Sequence, residues 1–259
     1  MFGDNRVAIV TGIGPGMGRS IAMGFARHGV DVVLAARRKN RLEAVAEEVR
    51  MLGREPLVVP ADITDRSACR QLVDAATERF GGVDMVVQNA HHEGDWATIA
   101  DADIASWQAI FDVNLYGALH LIQAALPAMR ARGGGAVVLV NSGAVLSSPA
   151  QLGAYTASKA ALAAVARTLA VEVGQWGIRA NGVFLGGVMG DNIRQAAEHQ
   201  AAAQGITVED WYERRNAALP LRHMPTPDEC AGPVLFLCSD LAAAVTGQHL
   251  SVNGGQWTT

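Results

Sequence analysis

Apolar residues fall along this chain in two alternating textures. Short runs rich in Val, Ile, Leu and Ala occupy Arg6–Thr11, Asp31–Ala36, Pro56–Val59, Val83–Gln88, Ala136–Asn141, Ile178–Phe184 and His249–Val252. Between them lie longer segments with helical spacing, near 17–28, 39–52, 66–80, 103–131, 155–175 and 227–239. The short runs are almost continuously apolar, as expected of strands covered on both faces of a parallel sheet. Strand and helix alternating with short connections predict an α/β fold, a Rossmann-like doubly wound parallel sheet of about seven strands flanked by helices. No linker or shift in composition divides the chain, so residues 1–259 are expected to form a single domain. Residues 186–226 interrupt the rhythm: they are partly helical, carry Trp211, Tyr212 and several Met, and stand between the last two strands.

Composition narrows the function classes. Half of the residues are apolar and only 5% aromatic, which suits a core of Ala, Val and Leu. The net charge of -4 comes without a long run of either sign, so the footprint of a nucleic-acid binder is missing. No apolar stretch approaches the ~20 residues that span a bilayer, and the first strand begins too early to leave room for a signal peptide. Cys69, Cys230 and Cys238 are odd in number and unrelated in spacing, which fits small buried side chains better than a disulfide framework or a metal site. A cytoplasmic protein with no metal, no membrane and no nucleic-acid partner is the expectation.

Two stretches carry candidate chemistry. Directly after the first strand comes Thr11-Gly12-Ile13-Gly14-Pro15-Gly16-Met17-Gly18, and a helix opens behind it. Glycines let an anion approach the backbone closely, and the helix N-terminus offers N–H groups and a favourable dipole. In strand–turn–helix context this is a dinucleotide cradle. The second strand then ends at Ala36, where an NAD site usually carries an acid, and Arg37-Arg38-Lys39 follow. Arg37, assisted by Arg38 or Lys39, suits a 2′-phosphate, so NADP(H) is favoured and NAD(H) stays possible; a solvated helix start is the alternative.

The second stretch is Asn141 to Lys159. Tyr155 and Lys159 are spaced i, i+4 and share one helix face, with Ser142 upstream at the end of an apolar run. An ammonium beside a phenol favours the phenolate and lowers its pKa, which would let the tyrosine exchange a proton with an alcohol or carbonyl. A surface pair of no chemical consequence has the same spacing.

Taken with these motifs, the whole chain resembles the short-chain dehydrogenase/reductase family, in its single-domain Tyr-x-x-x-Lys branch. Thr11-Gly12-x-x-x-Gly16-x-Gly18 matches the cofactor loop, Asp62-Ile63 the adenine contact, and Asn89-Ala90 the Asn-Ala-Gly after the fourth strand. Asn114, Ser142, Tyr155 and Lys159 match the catalytic positions, and Asn253-Gly254-Gly255 resembles a C-terminal turn of the family. The resemblance implies hydride transfer between a nicotinamide cofactor and a secondary alcohol or ketone. Tyr155 would be the acid or base, Ser142 the partner of the substrate oxygen, Lys159 the holder of the cofactor ribose, and Asn114 the holder of a relay water. Gly12, Gly14, Gly16, Met17, Gly18, Arg37, Arg38, Asp62, Ile63, Asn89, Ala90, Tyr155, Lys159, Gly186 and Val188 are the implied cofactor contacts. Three departures stand out: His91 replaces the glycine of Asn-Ala-Gly, Leu185-Gly186 replaces Pro-Gly, and no threonine appears in Gly187-Val188-Met189-Gly190. Residues 186–226 correspond to the family's substrate lid, where Met189, Trp211, Tyr212, Leu219 and Met224 are candidates either to line a mostly apolar pocket or to pack the lid onto the body or onto another subunit. His91 and His92 either narrow the nicotinamide end or reach the substrate, or are two exposed loop residues; Ser158 is expected to be a helix-face residue without chemistry. The Ala-rich helices at 103–131 and 155–175 imply a homotetramer or a dimer. A dinucleotide-binding sensor or scaffold without turnover is the rival class.

Overall fold

The computed structural model describes residues 1–258, apart from the side chain of Asn192; Thr259, the last residue of the expected domain span, lies outside them. Seven strands run β1 (Val7–Thr11), β2 (Asp31–Ala36), β3 (Leu57–Pro60), β4 (Met85–Gln88), β5 (Gly135–Ser142), β6 (Ile178–Leu185) and β7 (His249–Val252). The helices are α1 (Met17–Arg27), α2 (Lys39–Met51), α3 (Arg66–Phe80), α4 (Ile104–Phe111), α5 (Ala118–Ala131), α6 (Ala144–Ser147), α7 (Gly153–Val173), α8 (Asp191–Gln204), α9 (Val208–Ala218) and α10 (Pro227–Cys238). Every strand pairing is parallel, in the order β3-β2-β1-β4-β5-β6-β7. The fold is the expected doubly wound one, with element ends shifted by a few residues.

Strand side chains alternate between two cores, as the period of two requires. Ile9, Val86, Val137 and Leu139 pack toward Leu72 of α3, Leu121 of α5 and Leu162 of α7. Ala8, Val10, Val87 and Val138 pack toward Phe25 of α1, Leu42 of α2 and Leu237 of α10. A third, smaller cluster joins α8 and α9 through Ala197, Ala201, Trp211, Leu219 and Met224.

The sheet fixes where a ligand can bind. From β1 the chain winds outward to β3, then returns to place β4 on the other side of β1. Loops leaving β1 and β4 therefore diverge to opposite faces, and the crevice between them opens at the C-terminal strand ends. Every loop singled out in the sequence leaves from that edge.

One sequence expectation is corrected here. Helix α4, a π-helical turn at Asp112–Gly117 and α5 form one run, Ile104–Ala131, of 28 residues with mean hydropathy 1.3 in its most apolar window. By length and composition alone it could cross a membrane, which the sequence reading overlooked because Asp112 and Asn114 break its apolar runs. In the fold, Ile110, Leu121, Ile122, Ala125 and Met129 are buried, which gives the run the role of a core helix.

Candidate active site

The cleft at the strand ends measures about 730 Å³ and runs from the β1 loop to the start of α8. At one end the glycines close around each other. Gly12 takes φ +67°, and a Cβ there would fall 2.6 Å from the Ala90 Cα. A Cβ on Gly18 would strike the Gly12 carbonyl, whereas one on Gly16 would meet nothing within 4 Å and would project into open space. Gly16 is the N-cap of α1 and supplies no side-chain cap. The cradle thus has close packing behind it and room in front, which fits a pyrophosphate over a helix N-terminus. Gly14 and Met17 complete its lining.

Arg37, Arg38 and Arg41 border the neighbouring end of the cleft, together with Ala36, Asp62 and Ile63. Arg41, in the first turn of α2, joins the group instead of Lys39, because a helix brings residues three or four apart to one side. Spacing from Arg37 or Arg38 was the available signal. Asp62 Oδ1 accepts from the Thr64 amide (3.0 Å) and hydroxyl (2.8 Å), and the residue lines the cleft. Asp65 is the cap of α3.

Asn89 is a brace rather than an arm. Its Nδ2 donates to the carbonyls of Gly12 (3.0 Å) and Thr11 (3.3 Å), so the side chain holds the glycine loop onto β4. Thr11 Oγ1 donates to Gln88 Oε1 at 2.5 Å and accepts from the amides of Asn89 and Ala90. Gly186 and Val188 border the far side, and a Cβ on Gly186 would fall 2.7 Å from the Asn253 Cβ.

Ser142, Tyr155 and Lys159 meet in the middle of the cleft. Ser142 is the last residue of β5 and its Oγ accepts from the Ala144 amide at 3.1 Å, leaving its O–H to donate. Gly143 behind it touches the ring of Trp257, and Asn253 Nδ2 donates to the Trp257 carbonyl, so the C-terminal turn backs the serine. Lys159 is only 2% exposed, its Nζ donates to the Val140 carbonyl at 2.9 Å and lies 5.8 Å from the Tyr155 ring centre.

The protonation state departs from the sequence expectation. Burial pushes the Tyr155 phenol up to about 12; the Ser142 hydroxyl works the other way, and the charge of Glu93 adds to the rise. Burial pulls Lys159 down to about 8. At Tyr155 desolvation outweighs the hydrogen bond with Ser142, and at Lys159 desolvation is the sole cause.

Asn114 sits in the π-helical turn, fully buried, and its amide is heavily engaged. Oδ1 accepts from the His92 amide at 2.7 Å; Nδ2 donates to the His92 carbonyl and to Ser158 Oγ, both at 2.9 Å. Ser158 in turn donates to the Tyr155 carbonyl at 2.7 Å. Ser158 therefore belongs to the site, against the expectation that it has no part in it; neither its type nor its place one residue before Lys159 announced the link. His91 and His92 are exposed, as expected of loop residues, and with the half-buried Glu93 they also line the cleft. Glu93 carries no motif and was missed in the sequence.

The lid residues divide between the two expectations for them. Met189 borders the cleft, with Asp191, Ile193 and Gln195 of the same segment. Trp211, Leu219 and Met224 turn instead into the core between α8 and α9, with Tyr212 packed on it. Helical amphipathicity is satisfied equally by a ligand pocket and by a neighbouring helix, so composition alone could not separate the two. Among the described residues, no group of three or more His, Cys, Asp or Glu side chains is arranged to hold a metal ion.

A glycine cradle at the first strand–helix turn of a doubly wound sheet, opening onto a phenol, a hydroxyl and a buried lysine, defines a nicotinamide-dinucleotide oxidoreductase. Comparison with known proteins agrees. The family model described as enoyl-(acyl carrier protein) reductase matches residues 12–256. The chain is 31% identical over 252 residues to the 7alpha-hydroxysteroid dehydrogenase of Escherichia coli (strain K12), covering 97% of this chain and 94% of that one. It is 32% identical over 256 residues to the L-rhamnose 1-dehydrogenase (NAD(P)(+)) of Sphingomonas sp. (strain SKA58), covering 98% and 97%. The L-sorbose reductase from Gluconobacter frateurii, solved with NADPH and L-sorbose, superposes with a TM-score of 0.93 at 31% identity, covering 100% of this chain and 99% of that one. The chain belongs to the short-chain dehydrogenase/reductase family, and the relatives named here are dehydrogenases and a reductase.

Proposed function

We propose that this enzyme is an NADP(H)-preferring oxidoreductase that interconverts a small secondary alcohol and its ketone, with Tyr155 as the acid and base. The convergence of Ser142, Tyr155 and Lys159 beside the glycine cradle is the observation that supports it. The bound nicotinamide supplies or takes up the hydride. In reduction Tyr155 donates its proton to the substrate oxygen, and the Ser142 O–H donates to the same atom as charge builds there. In oxidation both roles run backwards. Lys159 keeps two N–H donors beyond the one spent on Val140, which suit the ribose hydroxyls of the cofactor. Asn114 acts by position: with its amide committed to His92 and Ser158, it ties the loop after β4 to the helix that carries Tyr155.

Preference for NADP(H) rests on Arg37, Arg38 and Arg41 at an end of the cleft where β2 terminates in Ala36 and offers no carboxylate. Arg37→Asp is expected to weaken NADPH binding by tenfold or more, roughly one lost charged hydrogen bond, while NADH binding holds or improves. Fluorescence titration with both reduced cofactors checks this, and tighter NADH binding by the wild type would overturn the preference. Residues 186–226 are the lid of this site. Exposed apolar residues on the helices behind it, Ile104, Tyr116 and Val171, suit a second copy of the chain, and a homotetramer or dimer in the cytoplasm is the proposed form. Light scattering on the purified chain tests the assembly.

The decisive test of the reaction is Tyr155→Phe. It is expected to bind cofactor as the wild type does and to lose turnover by roughly 10²–10⁴-fold. A wild-type protein that binds cofactor and turns over no alcohol or ketone would favour the sensor reading instead.

A further inference from the structure

Ser142 is followed by a glycine that its backbone does not require. Gly143 stands at φ -64° and ψ -9°, a right-handed conformation open to any residue. What excludes a side chain there is a ring. A Cβ on Gly143 would strike Cζ3 of Trp257 and fall 2.6 Å from its Cε3 and 2.7 Å from its Cη2, and these three atoms are its nearest neighbours. The indole thus fills the space that a side chain would take. Ser142 and Ala144 border the cleft, and Trp257 presses on the residue between them.

The backbone at this point has little support of its own. Helix α6 is one turn of four residues, Gly143 gives it no side-chain cap, and it ends at Ser148 in a left-handed conformation with φ +44°. So short a helix does not hold itself together. Yet this turn carries the bond that aims the serine, from the Ala144 amide to Ser142 Oγ at 3.1 Å. The Gly143 amide adds a bond to the Leu185 carbonyl at 2.7 Å. The indole is better anchored. Asn253, only 5% exposed, donates from Nδ2 to the Trp257 carbonyl at 3.1 Å and accepts at Oδ1 from the Gly255 amide at 2.9 Å. The Gly254 carbonyl accepts from the Leu221 amide and the Val252 carbonyl from the Gly186 amide, both at 3.1 Å. The turn after β7 is therefore fastened to the protein body, and close packing passes its rigidity to whatever the indole touches.

We propose that Trp257 is a positioning residue for the Ser142 hydroxyl, acting through Gly143, and that residue 143 is glycine because the indole needs its place. This rests on the oxidoreductase reading of the same site. The Ser142 donor has to meet the substrate oxygen as charge develops on it. Misplacing such a group by about 1 Å costs roughly 100-fold in rate.

The experiment follows reduction of cyclohexanone and butane-2,3-dione by NADPH or NADH, with cofactor affinity read separately by fluorescence titration. Trp257→Ala is expected to lower kcat/KM by roughly 10- to 100-fold while cofactor affinity stays within about twofold. Trp257→Phe, which keeps a ring on Gly143, should recover most of that loss. Gly143→Ala should cost about tenfold with the indole present and less than about twofold in Trp257→Ala, where the added methyl meets no ring. In Ser142→Ala, adding Trp257→Ala should change kcat/KM by less than about twofold, because the group being aimed is already gone. Hydrogen exchange read by mass spectrometry needs no substrate: residues 142–148 should exchange about tenfold faster in Trp257→Ala than in the wild type. Should Trp257→Ala fail to fold, Trp257→Leu takes its place in each comparison.

An unchanged kcat/KM in Trp257→Ala overturns the proposal, as does an equal cost of Gly143→Ala with and without the indole. So does unchanged exchange of residues 142–148. A Trp257→Ala loss that persists in full in Ser142→Ala overturns it too, and would place the effect in the lid. A wild type that binds cofactor and reduces neither ketone would bring down the oxidoreductase reading together with this role, whereas any other failure in an active wild type removes this role alone.

Discussion

At Tyr155 and Lys159, burial and charge pull against each other, and the balance sets the pH dependence. The phenol stands near 12 and the ammonium near 8 in the open cleft. A phenol that keeps its proton at neutral pH is ready to donate, so ketone reduction should persist through neutrality. Alcohol oxidation needs the proton gone, and its kcat/KM should climb as pH rises. Lys159→Met removes the ammonium 5.8 Å from the Tyr155 ring centre, so the alkaline limb of oxidation should move to higher pH while activity falls. Lysine held charged below its ordinary pKa carries a stability cost, present at low pH and relieved as pH rises from about 8 toward 10.5. Lys159→Met is therefore expected to melt higher than the wild type at pH 7 and to lose that advantage near pH 10, by calorimetry at both. Ser158→Ala removes one of the two bonds made by Asn114 Nδ2 and the hydroxyl donor at the Tyr155 carbonyl. A loss of roughly 0.5–1.5 kcal/mol per bond follows, and the pH profile should shift as well, because the link between Asn114 and the backbone of Tyr155 is broken.

The elements differ in how much of them the sequence reveals. Strands β1, β2 and β5 were legible because a central parallel strand has to be apolar on both faces. The glycine loop was legible because close approach leaves no other residue type: Gly12→Ala would put a Cβ against Ala90 in a left-handed conformation. That variant is expected to fold and to lose cofactor affinity by tenfold or more, by titration. The π-helical turn was only half legible. Asn114 in an apolar stretch signalled an interruption, but the direction of its amide depends on His92, which is 22 residues earlier, and Ser158, 44 residues later. The lid stayed open in the sequence because Trp211 and Met224 fit a pocket and a core equally well, and only packing between α8 and α9 chooses. Trp211→Ala should loosen that core, raising KM more than it lowers kcat and lowering the melting temperature, whereas a pocket-lining tryptophan would leave stability unchanged.

For the molecule as a whole, acid should be the weak direction. His249, stacked on Phe184 at 4.6 Å with a buried Nε2 that lacks a hydrogen-bond partner, is held neutral, with burial and then the Arg167 charge pulling it down to about 4. The unfolded chain takes up a proton near 6.5 that the fold refuses until about 4, so stability is full above 6.5 and drains as pH falls through that window. His249→Gln should flatten the melting temperature between pH 6.5 and 4. The sheet order carries a different consequence. The cleft residues on the loops after β1, β2 and β3 all lie before residue 64, and the segment proposed as the lid begins after residue 185, so on the proposed function the two specificities sit in separate parts of the chain. Only the loop after β4 and the helix carrying Tyr155 are shared between them. A chimera exchanging the first three βα units with those of a relative should thus inherit the donor's coenzyme while keeping its own choice of substrate, which makes the fold a natural point of recombination.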